Sequence, residues 1–139
     1  MRFMMIVKAS AESEAGKLPT TEELVAMGNY NEELVKAGIL LAGEGLHSSA
    51  KGSRVRFSGK QSTVVDGPFT ETKELVAGFW IIEVKSKEEA IAWARRVPFV
   101  DGEIEVRQVA SAEDFAASDP TGELMAKEEA LRAQVAAKA

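Results

Sequence analysis

The chain has 139 residues, 45% hydrophobic and 28% charged, with 17 basic and 22 acidic side chains, no cysteine and one histidine. A chain of this length forms one domain and buries roughly two-thirds of its unfolded surface, so it needs no disulfide or metal staple. Thiol nucleophiles, thiolate zinc sites and iron–sulfur clusters are excluded, as is any His-rich metal cage, and the net charge of −5 argues against nucleic acid as a direct partner. Carboxylates could still hold a hard cation, but no motif calls for one, and a chain with no metal and no cofactor is expected. No segment approaches the ~18 apolar residues of a membrane span, and Phe3–Val7 is too short for a signal-peptide core. A cytoplasmic protein is expected.

In chain order, Arg2–Lys8 reads as a buried strand and Ser10–Leu18 as a polar loop. Thr20 with Glu23 has capping-box spacing, and Leu24, Met27, Tyr30 and Leu34 make one apolar helical stripe that Gly38 ends. Ile39–Ala42 resumes as a strand, followed by a glycine-rich loop through Gly43, Gly45, His47 and Ser49. Arg54–Phe57 and Ser62–Val65 flank the turn Ser58–Gln61 and predict a hairpin with one wet face. Asp66-Gly67-Pro68-Phe69 is a turn, and Leu75–Val84 is a long apolar strand. Ser86 with Glu89 opens a second helix with Ala90, Trp93, Ala94 and Val97 inward, which Pro98 stops. Ile104–Gln108 is the last strand, and Asp119-Pro120 starts a tail helix with a narrow stripe of Leu124, Leu131 and Val135.

Without the hairpin, this order is β-α-β twice over, which predicts an α+β, ferredoxin-like βαββαβ sandwich with an antiparallel sheet and both helices on one face. Residues 1–118 form that domain and 119–139 an extra C-terminal helical tail. The strands carry more apolar surface than two helices cover, so a homodimer is expected.

Few side chains can carry chemistry. His47 alone titrates near neutral pH, and it follows a strand in a glycine-rich loop, so it is the acid/base candidate; the alternative is a loop histidine with no role. Asp66 ends another strand and is positioned to orient that imidazole, or else it caps the Gly67-Pro68 turn. Thr70, Thr72, Lys73 and Glu44 are candidate substrate contacts, with solvated loop positions as the alternative. Trp80 and Trp93 read as core anchors.

The run Val65-Asp66-Gly67-Pro68-Phe69-Thr70-Glu71-Thr72-Lys73-Glu74 and the following Gly78-Phe79-Trp80 strand resemble the signature of the YCII-related family, in its DGPF-domain branch. The Met-Met-Ile first strand, Leu40–Leu46, and Glu88-Glu89-Ala90 with Trp93-Ala94 fit the same resemblance, which spans about residues 1–115. It implies a dimeric α+β barrel. It also implies a small-molecule cleft served by a His/Asp pair, and a dehydrochlorinase of chlorinated aromatics belongs to the broader group. In YCII proteins proper the histidine lies on the first helix, where this chain has Tyr30 and Asn31. Two functions follow: small-molecule binding with proton-transfer chemistry of the lyase or isomerase type, or a non-catalytic module linked to extracytoplasmic-function sigma factors.

Overall fold

The computed structural model describes residues 1–138. In chain order the elements are β1 Arg2–Lys8, α1 Ala11–Glu14, α2 Thr21–Lys36, β2 Leu40–Gly45, β3 Ser53–Ser58, β4 Gln61–Asp66, β5 Val76–Glu83, α3 Lys87–Arg95, β6 Ile104–Gln108 and α4 Glu123–Ala137. Met1–Gln108 is one compact unit and the chain from Val109 is another.

In the first unit four strands form an antiparallel sheet in the order β2-β5-β1-β6, the ferredoxin-like arrangement, while β3 and β4 pair as a separate hairpin. Alternation along β1 sorts side chains to two faces. Phe3 opposite Ile82 and Met5 opposite Trp80 lie on the helix side, whereas Met4 opposite Ile81 and Ile6 opposite Phe79 lie on the other. The helix-side residues join Tyr30 and Leu34 of α2, and Ala90 of α3 with Val97 beyond it, in one core. Both helices therefore cover the same face. Tyr30 meets Trp80 edge-to-face at 5.5 Å between centroids, a geometry worth about 0.5–1.5 kcal/mol beyond burial.

The Thr20/Glu23 capping box forms as expected. Ser86 also caps its helix, but the Glu89 carboxylate accepts from Lys85 N–H rather than closing the box on Ser86. Two local differences stand out in this unit. The Ser10–Leu18 segment contains a helical turn, α1, because Ser10 and Ser13 cap each other. Strand β2 extends into the glycine stretch as far as Gly45, since backbone pairing with β5 needs no side chains.

In the second unit α4 starts at Glu123 rather than at Asp119-Pro120. The buried Asp119 carboxylate instead accepts from the N–H groups of Leu124 (3.1 Å) and Met125 (2.9 Å), satisfying orphan donors of the first turn. No helix among the described residues is long and apolar enough to cross a membrane.

Candidate functional site

A cleft of about 260 Å³ opens between α2 and the β2–β5 end of the sheet. Its floor is made by glycines. Gly43 lies opposite Trp80 and Gly45 opposite Gly78, on the helix side of the sheet. A Cβ at Gly43 would come within 2.9 Å of Trp80 Cδ1, and one at Gly78 within 2.9 Å of the Glu44 carbonyl oxygen. A Cβ at Gly45 would meet nothing within 4 Å, so that glycine leaves open space. Val7, Met27, Trp80 and Phe99 supply apolar walls.

One polar side chain of α2 enters this apolar surround. Asn31 is half-buried, and its Oδ1 accepts from Trp80 Nε1 at 2.9 Å. The neighbouring Tyr30 donates its hydroxyl to the Trp93 carbonyl at 2.7 Å. Burial pushes the Tyr30 phenol up to about 12; nearby Arg96 opposes the rise and Glu33 adds to it. Both polar tips on this helix face are thus held by fixed partners.

The Asp66-Gly67-Pro68-Phe69 turn is clamped to another loop. The Gly67-Pro68 peptide is cis. Ser49 Oγ accepts from Phe69 N–H at 2.9 Å and donates to the Glu14 carboxylate. Ser49 N–H also donates to Glu14 at 3.0 Å, and the Ser48 hydroxyl donates to the Glu14 carbonyl at 2.8 Å. These donors hold the Glu14 carboxyl below the usual glutamate range, the Ser49 hydroxyl first and its N–H second. Gly67 is required by contact: a Cβ there would fall 1.8 Å from the Ser49 carbonyl oxygen. Phe69 is covered by the Arg54 guanidinium at 3.8 Å from the ring centroid.

The residues singled out from the sequence scatter around this geometry. Glu44 borders the cleft, but its pairing with Phe79 turns its side chain to the face opposite the helices. Leu46 N–H continues the β2–β5 pairing to the Ala77 carbonyl, which leaves His47 exposed just past the strand end. Asp66 is exposed and accepts from Ser53 Oγ at 2.7 Å, across the hairpin rather than within its own turn. Among the described residues no hydrogen bond joins His47 to Asp66. Thr72 and Lys73 lie in a short 3-10 turn after the exposed Thr70, and none of the three lines the cleft. No cluster of three or more His, Asp or Glu suited to a metal occurs among the described residues.

A larger depression of about 550 Å³ lies between α3 and the loop leading to β6. It is open, and its rim carries Lys87, Arg95, Asp101 and Glu103, all exposed. It holds no buried, oriented polar group comparable to Asn31.

The model of the YCII-related domain matches residues 1–113. The chain belongs to the YCII-related family. An uncharacterised protein of Rhizobium meliloti (strain 1021) is 37% identical over 79 residues, a stretch that takes in 55% of this chain and 64% of that relative's length. Among solved structures, 5-chloro-2-hydroxyhydroquinone dehydrochlorinase from Burkholderia phenoliruptrix AC1100, in complex with 2,5-dihydroxybenzoquinone, aligns with a TM-score of 0.42 and 17% identity. The alignment covers 79% of this chain and 94% of that one.

Within this YCII-related domain, Phe99 of the cleft wall and the Glu14–Ser49 clamp are not among the residues that the sequence singles out, and Asn31 enters there only through the resemblance. Asn31 carried a usable signal. It lies four residues after Met27 and three before Leu34, so it shares the apolar stripe, and a polar group there needs a partner. Glu14 and Ser49 carried none, because 35 residues separate them and only the fold brings them together.

Proposed function

We propose that this YCII-related chain binds a small organic molecule in the cleft between α2, β2 and β5. The carrying observation is a glycine floor under apolar walls, with one oriented amide, Asn31, in an otherwise greasy recess. An engineered apolar cavity of about 150 Å³ accepts benzene, so this volume suits a single substituted ring. Gly45→Leu tests the reading, since Gly45 lines the cleft and a Cβ there meets nothing within 4 Å. In ligand-observed NMR with a set of single-ring compounds, binders of the wild type should lose binding to the variant while circular dichroism is unchanged. Failure of every ring compound to bind wild type, or equal binding to Gly45→Leu, overturns the proposal.

Proton-transfer chemistry by His47 and Asp66 has narrower support. His47 follows Gly45 of the cleft floor by two residues, but the Asp66 carboxylate is engaged by Ser53. His47→Ala separates the cases: lost turnover of a cleft ligand with unchanged affinity supports a base role, and unchanged turnover excludes it. The regulatory alternative has one supporting feature, that the chain from Val109 is compact by itself. Pull-down of an extracytoplasmic-function sigma factor, with and without residues 120–139, tests it.

We further propose a homodimer. Val55, Phe57 and Val64 share one face of the β3–β4 hairpin and are 52%, 80% and 64% exposed, and a lone two-stranded hairpin is marginal without a packed face. The hairpin region also carries Lys51, Arg54, Arg56 and Lys60, none of them ion-paired among the described residues, in a chain of net charge −5. A second acidic copy of the chain matches both properties.

A further inference from the structure

We propose that the cleft selects a planar ring bearing a neutral hydrogen-bond acceptor, such as a ring-attached carbonyl, and that Asn31 reads that acceptor. The inference rests on the small-molecule reading above and adds the chemical class of ligand. Its starting point is the Asn31–Trp80 bond. An indole N–H donates only, so the atom it meets at 2.9 Å must be the amide oxygen. The orientation of the Asn31 amide is thereby settled, and the group left over is the NH₂. Among the described residues no protein acceptor takes a hydrogen bond from it, while Asn31 itself borders the cleft. At this end of the cleft the amide oxygen is already engaged by Trp80, and the group free to meet a ligand is a donor.

Charge narrows the choice further. No lysine, arginine or histidine lines this cleft, so an anionic ligand finds no counter-ion. The one carboxylate at its border, Glu44, is directed to the opposite face of the sheet, so a cation finds none either. Burying an unpaired charge against Val7, Met27 and Phe99 is costly, whereas a neutral oxygen facing an amide NH₂ is satisfied. Flatness follows from the walls. The Trp80 ring is pinned at its nitrogen by Asn31 and packs perpendicular to Tyr30, and it lies over Gly43, where any Cβ would strike it. A fixed aromatic surface over a floor without side chains favours a planar guest.

The test compares four single-ring probes: acetophenone (neutral acceptor), toluene (no acceptor), benzoate (anion) and benzylamine (cation). Affinities come from ¹H–¹⁵N spectra of the full chain, reading the Asn31 side-chain NH₂ and the Trp80 indole N–H. Acetophenone should bind at least tenfold more tightly than the other three and shift the Asn31 NH₂ signals. Asn31→Asp keeps an acceptor for Trp80 and removes the donors; it should weaken acetophenone about tenfold and improve benzylamine. Asn31→Leu, if folded, should bind acetophenone and toluene alike. Benzoate or toluene binding as tightly as acetophenone, or acetophenone insensitive to Asn31→Asp, overturns the ligand class. If those same probes are lost from Gly45→Leu, the small-molecule reading stands without it. Absence of binding by all four probes overturns both.

Discussion

Replacing Gly67 by alanine is the sharpest test of how the Asp66–Phe69 turn is held. The added Cβ would lie 1.8 Å from the Ser49 carbonyl oxygen and 2.7 Å from its carbon. Carbon–oxygen contacts settle at about 3.3 Å or more, so the turn and the Ser49 loop must separate by roughly 1.5 Å. Two bonds across that gap, Gly67 N–H to the Gly52 carbonyl and Phe69 N–H to Ser49 Oγ, are both 2.9 Å long and would stretch past any useful distance. At about 1 kcal/mol each, with about 0.5–1 kcal/mol for the Arg54–Phe69 contact, the loss is roughly 2–3 kcal/mol. That is a large fraction of a typical domain's stability, and it should lower the urea midpoint by about 1–2 M. Gly28→Ala is the matched comparison. Gly28 sits inside α2 with nothing within 4 Å of a would-be Cβ, so the same added methyl should stabilise by about 0.5–1 kcal/mol. Urea unfolding followed by tryptophan fluorescence, at one protein concentration, compares all three proteins. Equal midpoints for Gly67→Ala and wild type, or destabilisation by Gly28→Ala as large as that by Gly67→Ala, refute the argument.

Three further expectations concern titration and assembly. Tyr30 is the only tyrosine, so phenolate absorbance reads it directly. The folded midpoint should lie near 12 rather than 10, and the stability gained from the neutral phenol is complete below pH 10 and lost between about 10 and 12. A folded-state midpoint near 10 contradicts this, and Tyr30→Phe should flatten the alkaline decline. Glu14 is lowered, so its contribution is full above the ordinary value of 4.5 and disappears as pH falls through the lowered one. Glu14→Gln should thus flatten the acid limb of thermal stability below pH 4.5, and identical limbs count against the Ser49 clamp. Phe57→Asp should shift the sedimentation mass from dimer toward monomer, whereas an unchanged mass removes the hairpin from the interface.

Much of the framework was legible because it depends on local patterns. The Thr20/Glu23 spacing, the stripe through Met27, Tyr30 and Leu34, and the apolar run ending at Val84 each follow from neighbours along the chain. The strand order then follows from two β-α-β halves. The site was less legible for a physical reason. Titratable residues such as His47 and Asp66 stand out in a sequence, but the cleft owes its shape to missing side chains at Gly43, Gly45 and Gly78. Those glycines resemble a loop when read alone, and only the pairing of β2 with β5 makes them a floor. Asp119 is similar: with Pro120 it reads as the start of a helix, but its carboxylate reaches forward to cap α4.

The glycine floor has a consequence for how ligand choice can change in this protein. A recess bounded by bulky side chains is reshaped by repacking its walls, which disturbs the core behind them. Here the floor is set by glycine hydrogens, and at Gly45 nothing lies within 4 Å of the position a methyl group would take. A series from alanine through serine and valine to leucine at that residue would shorten the accepted guest stepwise, with Asn31 and Trp80 left in place. Size and polarity are recorded on different elements, β2 and α2, and each can be altered while the other is kept.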